Sequence, residues 1–119
     1  MIKLLSMDAN NVIGVSIKGN VKTKDFELVK NFISEVEVHY EFLRIYVEIQ
    51  GIEGFSLETL LKELEFTLSQ FHKFEKEVIV IDQKLIQSLE TMKSLLVAGV
   101  KVKCFTFEDR CEARCWILN

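Results

Sequence analysis

The sequence predicts a single α/β domain spanning residues 1–119. Its sheet is five-stranded and mostly parallel with an antiparallel first strand, its elements run ββαβαβαβα, and its helices lie mainly on one face. Three observations predict this. Segments of strand-like alternation are separated by segments of helical apolar spacing, which implies right-handed crossovers and parallel pairing. The first two strand-like runs are joined by a short polar link, which suits an antiparallel pair. The second and third strands alternate apolar with polar residues, whereas the fourth is apolar on both sides, so part of the sheet has a wet face.

Ile2–Met7 forms the first strand and Asp8-Ala9-Asn10-Asn11 supplies turn chemistry. Val12–Lys18 is the second strand, with Ile13, Val15 and Ile17 on one side and Gly14, Ser16 and Lys18 on the other. Gly19-Asn20 breaks the run. Thr23 is placed to cap a helix from Lys24 to about Tyr40, with Asp25 and Glu27 in its first turn, where the helix dipole favours acids. Its stripe is Phe26, Val29, Phe32, Ile33 and Val36. Leu43 to Gln50 alternates strictly: Leu43, Ile45, Val47 and Ile49 oppose Arg44, Tyr46, Glu48 and Gln50. Gly51 and Gly54 suit a tight strand-to-helix turn, and Ser56 stands at the N-cap of a helix carrying Leu57, Leu60, Leu61, Leu64, Leu68 and Phe71. Glu77–Asp82 is a short strand apolar on both faces, as a parallel strand inside the sheet would be. Asp82 caps the next helix, with Leu85, Ile86, Leu89, Met92, Leu95 and Leu96 on its stripe and Gly99 as its stop. Lys101–Phe107 is the last strand. Glu108 and Asp109 open a final helix to about Leu118, with Cys111, Cys115 and Leu118 on one side.

At 49% hydrophobic residues the chain can bury a core, so disorder is excluded. A net charge of −3 without a basic stripe argues against nucleic acid as a partner. MIKLLSM is too short and interrupted for a signal peptide, and no apolar run reaches membrane-span length. The three cysteines form no framework spacing and are expected to be reduced thiols in the cytoplasm.

The element order, the residues EGFS (Glu53 to Ser56), the segment FHKFEKEVIVID (Phe71 to Asp82) and the closing VKVKCFTFEDRCEARCWI carry a family likeness. They resemble the SpoIIAA-like group of STAS domains, the fold of anti-sigma-factor antagonists and sulfate-transporter tails. The CRAL-TRIO lipid-binding fold is a more distant structural relative. The resemblance implies a binding module, not an enzyme, with no cofactor. In the antagonists a phosphorylatable serine, usually following an aspartate, starts the helix after the central strand. Ser56 is the matching position, but Phe55 stands where the aspartate is expected and Leu57 replaces a second small residue.

Ser56 is therefore a candidate phosphosite or simply a helix cap; Glu53 and Glu58 nearby would repel phosphate. Gly51-Ile52-Glu53-Gly54 lacks the lysine and spacing of a phosphate-binding loop. Cys104, Cys111 and Cys115, with His39 or His72, lack a CxxC pair; they are expected to pack as small hydrophobes, with no metal. His72 has no partner or nucleophile at a recognisable spacing, and the acids Glu63, Glu65, Asp109 and Glu112 are expected on solvated helix faces. Phe55, Phe66 and Phe74 either widen the core or line an apolar groove for a lipid-like ligand or a partner helix. Tyr46, Arg44, Glu48 and Lys18 are a candidate homodimer contact on the wet face, against the alternative that a helix covers Tyr46. Two functional classes follow: a STAS-like interaction domain working through protein contacts, and a carrier of a small apolar or lipid-like ligand.

Overall fold

The structure, a computed structural model, describes residues 1–54 and 56–119. The two alternating runs build the middle of the sheet. They are β2, Val12–Asn20, and β3, Leu43–Glu53, which pair in parallel. β1, Ile2–Leu5, runs antiparallel to β2 along the outer edge. β4, Phe74–Ile81, and β5, Lys101–Phe105, continue the parallel order, so the strands lie β1-β2-β3-β4-β5 across the sheet. The crossovers are helices α1, Phe26–Glu37; α2, Leu57–Ser69; and α3, Gln83–Thr91, and α4, Arg110–Leu118, closes the described chain. This is the expected ββαβαβαβα order and the expected antiparallel first strand.

Register sorts the side chains into two faces. On the first, Ile13, Val15 and Ile17 line up with Ile45, Val47 and Ile49 and with Ile79 and Ile81. Against them pack Val29 and Ile33 of α1, Leu60, Leu61, Leu64 and Leu68 of α2, and Leu89 of α3. The second face is smaller. Tyr46, Val78, Val80 and Phe105 are covered by Ala113 and Ile117 of α4. Helices thus cover chiefly one face, while α4 covers only the β3–β5 half of the other. Gly14 is in register with Tyr46 on this second face, and a Cβ there would stand 2.8 Å from the Leu5 carbonyl and from the Met7 side chain. The missing side chain lets the β1–β2 link fold close beside Tyr46.

Several expected boundaries move. Thr23 does not cap an α-helix: Thr23–Asp25 is a 3-10 turn, Asp25 Oδ2 accepts from the Lys22 amide, and α1 starts at Phe26. α1 stops at Glu37, where Lys73 donates to the Glu37 and Tyr40 carbonyls and pairs with the Glu37 carboxylate at 2.9 Å. A cation at a helix C-terminus is the arrangement the dipole favours. α3 ends at Thr91 instead of reaching Gly99. A 3-10 turn over Lys93–Leu95 follows, so Leu95 and Leu96 belong to the connector to β5. The expected cysteine packing also fails for two of three. Cys111 and Cys115 are exposed, because α4 presents Ala113 and Ile117 to the sheet. No helix among the described residues is long and apolar enough to cross a membrane.

Candidate functional site

The carboxyl ends of β3, β4 and β5 all open onto one cleft of about 640 Å³. Parallel strands that feed helices leave such a crevice at their carboxyl ends, where ligands of open α/β sheets characteristically bind. Gln50, Gly51 and Ile52 lie at the carboxyl end of β3; Asp82, Gln83, Lys84 and Leu85 follow β4; Thr106, Phe107 and Glu108 follow β5. Gly51 has φ 54°, which lets the chain turn away from the strand end. α2 begins at the rim: Leu57 lines the cleft, and Ser56 before it is exposed. The Ser56 hydroxyl accepts the Thr59 amide at 3.1 Å, so the cap predicted from sequence is formed. Asp82 likewise caps α3, its Oδ1 accepting from the Lys84 amide at 3.2 Å. The rim mixes two acids, Asp82 and Glu108, with one cation, Lys84.

The expected contact group on the second face does not stay together at the surface. Tyr46 is fully buried beneath α4, which corrects its assignment to an exposed interface. Its hydroxyl donates to Glu48 Oε2 at 2.6 Å, and the Arg114 guanidinium lies 5.0 Å from its ring centroid. Burial and then the Glu48 hydrogen bond push the phenol well above its ordinary pKa, so it stays neutral. Arg44 is also engaged internally: it donates to the Ile117 carbonyl at 2.8 Å and pairs with Glu75 at 3.0 Å, tying the end of α4 to β3 and β4. Lys18 alone of the four is exposed. With Lys3, Ser16 and Gln50 it lines an open hollow of about 560 Å³, the strip that α4 leaves uncovered.

Phe66 and Phe74 are not brought to one groove. Phe66 is 65% exposed on α2, whereas Phe74 packs against the main core. Phe55 lies outside the described residues.

Comparison with protein families adds one finding: the SpoIIAA-like family model matches residues 12–118. The chain belongs to the SpoIIAA-like family. That family is generally non-enzymatic and concerned with interaction. Among curated proteins no match is found. The matched span takes in β2 through α4, and so the whole cleft of this SpoIIAA-like domain.

The SpoIIAA-like domain also buries a pair of acids, of which Glu65 was expected on a solvated helix face. Glu65 of α2 is only 3% exposed, and Glu77 of β4 is completely buried on the first face, between Ile45 and Val102 in register. Glu65 Oε1 accepts the Val97 amide at 3.1 Å, while Glu65 Oε2 and both Glu77 oxygens meet no donor other than the facing carboxyl of the pair. Burial raises the pKa of both, and the Glu65 charge raises that of Glu77 further. The signal was present in the sequence. Glu77 has the same parity as Ile79 and Ile81, and Glu65 falls four residues after Leu61 and three before Leu68, on the apolar stripe. Cys104, on the same face, is desolvated and pushed up to about 11, so it is a thiol at neutral pH.

Proposed function

We propose that this domain is a non-catalytic interaction or regulatory module that works through protein contacts, and that the contact is made at the cleft above β3, β4 and β5. The observation that carries this reading is the convergence of three separate chain segments on one open crevice of about 640 Å³ beside the exposed start of α2. A crevice of that size, with an apolar floor from Ile49, Ile52, Leu57 and Phe107 and a rim of both charges, suits side chains of a docked protein. Ser56 stands at the rim as the regulatory position. Phosphate there would meet the start of a helix but also the exposed acids Glu53 and Glu58, so it would weaken an acidic partner and favour a basic one. The partner is another protein or a second copy of this chain. A second copy is expected at the strip with Lys18, Lys3 and Gln50, which carries no helix.

Site-specific photocrosslinking in cells tests the reading. A photoreactive residue at Lys84 or Glu108 is expected to capture a protein. One at Lys18 is expected to capture this chain itself if the homodimer forms. Capture at the cleft no greater than at Glu27, on the exposed side of α1, would overturn the assignment.

A further inference from the structure

The buried acids invite a second inference, independent of the cleft. Glu65 and Glu77 come from different elements, α2 and β4, and their carboxyls lie within hydrogen-bond reach of each other, beneath the connector between α3 and β5 that Glu65 holds through the Val97 amide. Three of their four oxygens are buried without a donor from outside the pair. A carboxylate in such surroundings is costly, and two adjacent carboxylates more so. One proton on Glu77 converts the pair into a donor facing an acceptor and lets Glu65 keep the one charge that its Val97 hydrogen bond stabilises.

We propose that Glu65 and Glu77 share a single proton and that this proton is a latch, holding the α3–β5 connector against α2 through the Glu65–Val97 hydrogen bond. Loss of the proton places two negative charges in the core beside Ile45 and Val102. The relief available is for Glu65 to swing outward. Its way out is short: with Lys62, Phe66, Ser69, Leu95, Val97 and Ala98 it lines a surface hollow of about 370 Å³. Swinging out breaks the Val97 bond and frees the connector, so the hollow deepens as pH rises.

The other charged groups around the pair do not supply the missing partner. Lys62 on α2 pairs with Glu58 at 3.1 Å. Glu90 of α3 and Lys93 of the 3-10 turn pair with each other at 2.7 Å. Cys104 of β5 stays a neutral thiol across the range in question. The desolvated carboxyls, whose folded pKa values are raised, are then the groups that titrate here. The sign follows. A group with a raised folded pKa binds its proton more tightly when folded, so the latch is complete at low pH and is lost as pH rises through the folded value.

Amide hydrogen exchange tests the latch, with rates corrected for intrinsic exchange. Between about pH 6 and about pH 9, protection at Val97 is expected to fall roughly tenfold or more, while Val47 and Ile79 at the sheet centre change less. Glu77→Gln, which keeps a neutral donor in place, is expected to hold Val97 protected throughout. Because that variant could fail to fold, the side-chain carboxyl resonances of wild type provide a second measurement. At least one of Glu65 and Glu77 is expected to titrate well above the ordinary glutamate range. Carboxyls titrating near about 4.3, or Val97 protection that tracks the sheet centre at every pH, would overturn the proposal.

Discussion

Tyr46 and Glu77 sit on neighbouring strands, are both fully buried, and face opposite sides of the same sheet. Each takes one polar group into aliphatic surroundings. The tyrosine stands near the margin of the α4 cover, so its hydroxyl reaches the half-exposed Glu48 and its ring is overlaid by Arg114. The glutamate lies under the three-helix layer, and neither of its oxygens finds a donor outside the acid pair. Desolvation acts on both, with different results. A phenol is neutral at physiological pH anyway, so burial fixes it in place. A carboxyl is ordinarily charged there, so burial ties the local structure to a proton. One face is therefore a settled packing surface and the other carries a protonation-sensitive joint.

The largest expected effect is on the settled face. Tyr46→Ala should destabilise by about 3–5 kcal/mol in chemical denaturation, as other large-to-small aromatic core changes do. A loss below about 1 kcal/mol would mean that α4 does not pack on Tyr46 and would dissolve the contrast. Arg44→Ala comes next, at about 1.5–3 kcal/mol, because it removes charge-assisted bonds to the Ile117 carbonyl and to Glu75. Its amide exchange should rise in α4 before β3. Uniform exchange would show that Arg44 does not hold that helix. Ser56→Ala is the surface control. The hydroxyl is partnered but exposed, so the expected loss is ~0.5–2 kcal/mol, with Ser56→Asp close to wild type.

Much of this was legible beforehand. The strict alternation from Leu43 to Gln50 gave a strand and its faces, and Ser56 and Asp82 capped as their residue types suggest. The helix over the second face was not legible as such. The α4 segment shows the sheet only Ala113 and Ile117, and its cysteines, spaced to suit a buried stripe, point outward instead. Whether Tyr46 was open or covered depended on where that short helix landed, a tertiary fact with no local signature. The end of α3 was misjudged because Leu95 and Leu96 continue an apolar spacing although the backbone has already left the helix. Glu65 was misjudged for the opposite reason. Position placed Glu65 on the apolar stripe, and residue type alone suggested solvent; Glu77 drew no reading of its own although its parity points inward.

The most direct test of the contrast is the pH dependence of unfolding, measured on wild type and Glu77→Gln by denaturant titration. A carboxyl held protonated by the fold releases its proton on unfolding. Above the unfolded glutamate value of about 4.3, wild-type stability should therefore fall with rising pH, by up to about 1.4 kcal/mol per unit for one proton, until the folded pKa is passed. Glu77→Gln should lose most of that slope and become the more stable protein at high pH. Parallel curves for the two proteins, or a wild type whose stability rises through this range, would contradict the account.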